Sequence, residues 1–254
     1  MSRKVKLYLV VVGTVVVTVV VFCLPHIPQS AAYHHFCDER RFWGIPNFSN
    51  VVSNLVFLFT GMAGFLSLRR AAAGMRIKLI YGVIFTGVML TGFGSAYYHY
   101  SPDNATLVFD RLPMSIVFMG LLAAVIAEGV GAGTGSLLLG PLVLTGICSV
   151  VWWHVTELRG SGDLRLYALV QYYPLLLIPA ILLLFPSSAI RKGWPALLWA
   201  FAWYGIAKMA EAVDCPIYTV PGMVSGHTLK HLAAGVSTWM LVKRFRVMYC
   251  PPIL

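Results

Sequence analysis

Charge is what this chain lacks most. Asp, Glu, Lys and Arg make up 11% of its 254 residues, about half the share of a soluble domain. Only nine residues are acidic. There is also no low-complexity tract, no internal repeat and no long linker. These absences exclude repeat arrays and disordered tails. No basic helix with interleaved aromatics occurs, so the net charge of +10 does not call for nucleic acid as a partner. What is abundant is apolar. The chain is 59% hydrophobic, with a mean hydropathy of +0.79.

That apolar content falls into blocks of about 20 residues, the length that spans a bilayer. The blocks are Leu7–Leu24, Val51–Leu68, Leu79–Tyr98, Pro113–Val130, Leu137–His154, Ala168–Phe185, Ala196–Val213 and Met223–Val242. Such segments must satisfy their own backbone groups, which predicts an all-α, polytopic transmembrane bundle. The expectation is one integral membrane domain over residues 1–254, with a seven-helix core over 37–243 and an extra N-terminal helix over 7–24. The first block also carries the marks of a signal peptide, with its basic start and the small residues at Ser30–Ala32. Its length favours a retained helix.

Four basic groups orient the bundle. They are Arg3, Lys4 and Lys6; Arg69, Arg70, Arg76 and Lys78; Arg191 and Lys192; and Lys243, Arg244 and Arg246. With alternating blocks all four fall on one side, which the positive-inside rule makes the cytoplasm. Both termini are then cytoplasmic. Of the acidic residues only Glu128 shares that side, in "EGVGAGTGS", which reads as a short turn. The other acids and most histidines gather at the outer face. This predicts one outward-facing polar site over an apolar inner half.

Spacing gives that site its chemistry. Ser95 and His99 are four apart and share a helix face, as do His227 and His231. Two imidazoles so spaced can grip one metal ion, and His99 can supply a third nitrogen. Three protein ligands and an open position form a catalytic zinc site. Asp110 is then the candidate general base, and Ser95 the candidate oxyanion donor. The plain alternative makes Asp110 an ion pair with Arg111 at a helix start, with Pro113 in the first turn. Lys230 lies on another face from the two histidines and is expected to snorkel outward. A lone histidine such as His154 needs only a hydrogen-bond partner. The Trp and Tyr residues near block ends read as interfacial belts.

Among the five cysteines, Cys37 and Cys215 both fall on the outer side, where oxidation is permitted. A Cys37–Cys215 disulfide is the expectation, with Cys23 as the competitor.

The motifs "SAYYH", "DRLP" and "HTLKH", together with "IPNFSNVVSNLVF" (Ile45–Phe57), resemble the alkaline ceramidase family. That family belongs to the seven-helix superfamily that includes the progestin and adiponectin receptors. The resemblance spans about Cys37 to Val242. It implies zinc on His99, His227 and His231, with Ser95 and Asp110 beside it, and hydrolysis of the amide of ceramide or another N-acyl lipid. It also implies calcium in the N-terminal stretch "CDERRFWGIPN", where Asp38 and Asn47 are the matching positions. Asn47 stands where that family usually has glutamate. A receptor-like or lipid-sensing protein with a structural zinc is the alternative. Retention of Ser95 and Asp110 favours the enzyme. A retinal protein using Lys208 or Lys230 is disfavoured, because Lys230 lies close to a helix end. A two-haem oxidoreductase is disfavoured by the lack of histidines on the inner side. The sequence leaves the oligomeric state open.

Overall fold

The computed structural model describes residues 1–220 and 222–251. Among them no strand is formed, and the chain is a bundle of long helices. These are α1 (Arg3–Cys23), α3 (Leu55–Arg70), α4 (Met75–Tyr100), α5 (Asn104–Gly129), α6 (Ala132–Leu158), α7 (Arg165–Leu184), α8 (Ser188–Ala212) and α10 (Gly226–Tyr249). Two short helices, α2 (Phe48–Val52) and α9 (Asp214–Thr219), precede α3 and α10. The seven-helix core is α3–α8 with α10, and α1 is the addition.

Among the described residues six segments are long and apolar enough to cross a membrane, which makes the chain an integral membrane protein. They are α1, α2 with α3, and α4 to α7. Helices α8 and α10 are as long but more charged. Their charged residues include Lys208 and Glu211, and Lys230 and Arg244, which pair within the bundle instead of facing lipid. This is how charge is tolerated in membrane helices.

Helix α5 is the axis. Of its most apolar stretch 67% is buried, against 0% for α1, which lies outside the core against α7. Helices α4 and α5 pack closely because Gly94 has no side chain. A Cβ there would lie 1.9 Å from the carbonyl oxygen of Phe109. This contact sets Ser95 and Asp110, each the next residue on its helix, at one level.

Helix α5 begins nine residues before the expected Pro113. Asp103 caps it, accepting from the Thr106 amide at 2.6 Å, while Thr106 Oγ1 accepts from the Asp103 amide at 3.1 Å. This reciprocal box outweighs Pro113, which sits in the helix interior. The turn expected over Glu128–Ser136 shrinks to Val130 and Gly131, with Glu128 still inside α5.

The end of the bundle far from the histidines is not apolar. Arg244 donates to both carboxylate oxygens of Glu128, at 3.0 and 2.6 Å. Arg244 also donates to Tyr81 Oη at 2.7 Å, and the Tyr81 and Tyr249 hydroxyls donate to Glu128 at 2.8 and 3.2 Å. Both charged side chains are 0% exposed. Helices α4, α5 and α10 are thus stitched together through one carboxylate.

Candidate active site

His99 comes from the last turn of α4, and His227 and His231 from the first turns of α10. Their rings meet in the core. His99 Nε2 lies 3.1 Å from His231 Nε2 and 3.3 Å from His227 Nε2. All three residues are buried. Two zinc–nitrogen bonds at the tetrahedral angle would hold their nitrogens about 3.3–3.4 Å apart. The trio therefore fits a tetrahedral metal ion.

Protonation supports the same conclusion. Ser53 donates its hydroxyl hydrogen to the carbonyl of Asn50 at 3.1 Å. Its oxygen is also 2.8 Å from His231 Nδ1, placed to accept from it. This arrangement suits the tautomer with the His231 proton on Nδ1, in which Nε2 presents a lone pair to the cluster. Ser53 occupies the break between α2 and α3. There the Asn54 side chain donates to the Asn50 carbonyl at 2.7 Å, and the Asn54 amide turns to Val51 at 3.3 Å. A side chain competing for the helical acceptor opens the turn. His99 Nδ1 is buried without a partner.

Backbone contacts fix the other ligand candidates. Asn47, in the left-handed conformation at φ 47°, donates its side-chain amide to the carbonyl of His99 at 2.9 Å. Asp214 accepts from the His227 amide at 2.7 Å and from the Cys37 amide at 3.1 Å. Gly226 lets α10 start against α8, since a Cβ there would lie 2.3 Å from the carbonyl oxygen of Ala210.

The N-terminal segment forms a cover over this cluster. Phe36 sits edge-on to His99 and to His227, with ring centroids 4.7 Å from each. Cys37 and Cys215 form a disulfide, with Cα atoms 5.1 Å apart, and anchor the cover to α9. Cys23, the competitor, is a free thiol.

The calcium expectation does not fit these residues. Both oxygens of Asp38 are bonded by the Arg40 guanidinium, at 2.7 and 2.8 Å. That bond holds the Asp38 carboxyl below the usual carboxylate range. Asn47 directs its amide nitrogen to His99. One engaged carboxylate falls far short of the six to eight oxygens calcium takes. Arg40 also reaches the carbonyl of Met223 at 2.5 Å, so Asp38 and Arg40 serve to pin the cover.

A cavity of about 360 Å³ runs from His231 into the bundle. Ser95, Asp110 and His231 line its polar end, and Val88, Leu121, Ile178 and Leu241 line its apolar depth. Asp110 makes no ion pair with Arg111. That guanidinium stacks on Trp153, 4.3 Å from the ring centroid, and on Tyr167 at 4.9 Å, and bonds Gln29. Asp110 is 6% exposed, lines the cavity and has no ion-pair partner among the described residues. Lys230 does not snorkel. It turns into the cavity wall and donates to Glu211 at 3.1 Å.

The chain matches the Ceramidase family over residues 28–249. It belongs to that family. The match covers nearly the whole core and its cover, and it implies an amide hydrolase acting on ceramide in a membrane. No curated protein matches the chain.

Sequence reasoning reached the three histidines but missed Ser53, Phe36 and Asp214. Ser53 and Asp214 act through atoms of residues far away in the chain, and no local spacing signals that. Phe36 neighbours Cys37, and its role follows only once the disulfide is known.

Proposed function

We propose that the chain is a zinc-dependent membrane amidase that cleaves the N-acyl amide of a ceramide-like lipid to a free fatty acid and a long-chain amine. The observation that carries this is the meeting of three histidines, one of which, His231, lines an apolar cavity together with Ser95 and Asp110. His99, His227 and His231 are the zinc ligands. A zinc ion held there would supply Lewis acidity toward the amide carbonyl and would lower the pKa of a coordinated water to ~7.

The chain's own groups do the rest. The apolar depth of the cavity holds the acyl chain and brings the amide to the histidines. Ser95 donates to the carbonyl oxygen as negative charge develops there. Asp110 accepts a proton from the attacking water and returns it to the nitrogen as the C–N bond breaks and the C–O bond forms. Its carboxylate is free for this because Arg111 is engaged elsewhere. Phe36 and the disulfide-held cover keep bulk water from the cluster. By the basic flanks both termini are cytoplasmic and this site faces the other side of the membrane. Residues 37–243 form the seven-helix catalytic unit within one membrane domain, and residues 7–24 an appended helix.

The test pairs elemental analysis with release of fatty acid from ceramide. Changing any of the three histidines to Ala releases zinc and abolishes hydrolysis together. Asp110→Asn keeps about one zinc per chain and loses roughly 10²–10⁴-fold in rate. Ser95→Ala keeps zinc and loses roughly 10²–10³-fold. Asp110→Asn with full turnover would overturn the base assignment. A zinc-loaded wild-type protein without turnover would return the chain to lipid sensing.

A further inference from the structure

Three residues on the cavity wall are not used by the chemistry above. Lys208 and Glu211 stand near the end of α8, and Lys230 stands in the first turns of α10, next to His231. All three line the cavity. Both ammonium groups bond one carboxylate, Lys208 to Oε2 and Lys230 to Oε1 of Glu211. The Lys230 and Glu211 side chains are 15% and 14% exposed. The Tyr33 hydroxyl, from the cover, also donates to Glu211 at 3.2 Å.

The charge here does not balance. Charged groups within membrane helices pair with one another, because an uncompensated charge is costly. Two cations on one carboxylate leave one positive charge over. Counted over the whole lining, Arg111, Lys208 and Lys230 stand against Asp110 and Glu211, and the sum stays one positive charge. No further acid lines this wall among the described residues. A divalent ion on the histidines would raise the surplus. The cavity thus carries positive charge where its apolar depth gives way to the cover.

Position says which part of a lipid meets that charge. The acyl chain takes the apolar depth, and the amide lies at the histidines, Ser95 and Asp110. Lys230 and Glu211 lie at the depth of the histidines, and Glu211 is bonded to the cover. They therefore face the portion of the lipid beyond the amide nitrogen, its head group.

We infer that Lys208 and Lys230, held by Glu211, form an anion-binding subsite that selects N-acyl lipids carrying a carboxylate or phosphate on the amine-derived part. This rests on the amidase reading, and it names that enzyme's substrate class. Lys208 is 35% exposed, so the buried contact is that of Lys230, and a charge-assisted contact there is worth roughly 10–100-fold in preference.

Three substrates test it: a neutral ceramide, the same ceramide bearing a phosphate, and an N-acyl amino acid with a free carboxylate. The ratio of kcat/KM for the anionic substrates over the neutral one should exceed 10 in the wild type. It should fall roughly 10-fold or more in Lys230→Met, survive in Lys230→Arg, and rise in Glu211→Gln. A parallel measurement needs no turnover: calorimetry of dodecyl phosphate against dodecanol on the zinc-loaded protein in neutral detergent. Dodecyl phosphate should bind more tightly, and Lys230→Met should remove the difference. Inorganic phosphate at millimolar concentration should compete weakly, since it lacks the chain that fills the cavity.

A ratio near one, or one unmoved by Lys230→Met and Glu211→Gln, overturns the inference while ceramide hydrolysis stands. Phosphate binding that persists in Lys230→Met also overturns it, because the anion is then held at the histidines. Lysine-dependent binding with no hydrolysis of any substrate upholds the subsite and sinks the amidase reading.

Discussion

The two ends of this bundle solve the same problem in opposite ways. Each buries ionisable groups from helices α4, α5 and α10. At the far end Glu128 receives Arg244, Tyr81 and Tyr249, so each carboxylate oxygen has a donor. At the histidine end Asp110 has no ion-pair partner among the described residues, three imidazole nitrogens face one another, and two lysines share one acid. Among the described residues the paired end leaves only the buried Arg244 Nε without a partner. The unsaturated end has groups that only a metal, a water or a lipid can complete. Burial of charge marks function where the partners are missing, and architecture where they are present.

The largest effect is expected at the far end. Arg244→Met leaves the Glu128 carboxylate buried without its cation, a loss of about 3–5 kcal/mol. Thermal unfolding in detergent should show a large drop. The double change Arg244→Met with Glu128→Leu should recover most of it, because an ion pair replaced by apolar groups costs little. In either variant, the surviving folded protein should keep its rate on ceramide. A selective fall in rate of the folded fraction would show that the far end takes part in catalysis.

A smaller effect sharpens the histidine end. Ser53→Ala removes the acceptor that holds the proton of His231 on Nδ1. Zinc affinity should fall roughly 10–100-fold, as measured by competition with a chelator, with little change in unfolding temperature. The far-end variants should show the reverse pattern.

The smallest effect lies on the tether of α1. Asp163 receives both Nε and Nη2 of Arg165, whose Nη1 donates to the carbonyls of Phe22 and Leu24 at 2.9 and 2.7 Å. This hydrogen bonding lowers the Asp163 pKa from 3.8 to about 2. A depressed carboxylate contributes stability above its unfolded pKa and loses it as pH falls through the folded one. Proteolysis in the segment after α1 should therefore increase between pH 4 and 2 and be flat above pH 5. Asp163→Asn should show the low-pH behaviour at neutral pH.

Much of this was legible in the sequence, and what was not has one common cause. Apolar length showed the helices, and the i, i+4 spacing showed that His227 and His231 share a face with room for His99. Both signals are local. Glu128 and Arg244 are 116 residues apart and each looked like a flank, one in a glycine-rich turn and the other in a basic tail. Lys230 looked like a snorkelling lysine because nothing nearby in the chain shows Glu211 across the cavity. Pro113 looked like a helix start because it is a strong local cue. The Asp103–Thr106 box was the better cue, set in a polar stretch that reads as loop.

The distance in sequence between the site's halves has a consequence for how the protein is made. His99 belongs to the second core helix and His227 and His231 to the last, and the Cys37–Cys215 bond joins residues 178 apart. A nascent chain emerging from the ribosome can hold neither the full histidine set nor the closed cover until its final segment is inserted. Truncated or stalled products are therefore inert toward the lipids around them. Completion of synthesis and acquisition of the site coincide, so a half-built copy cannot erode the bilayer in which it is assembled.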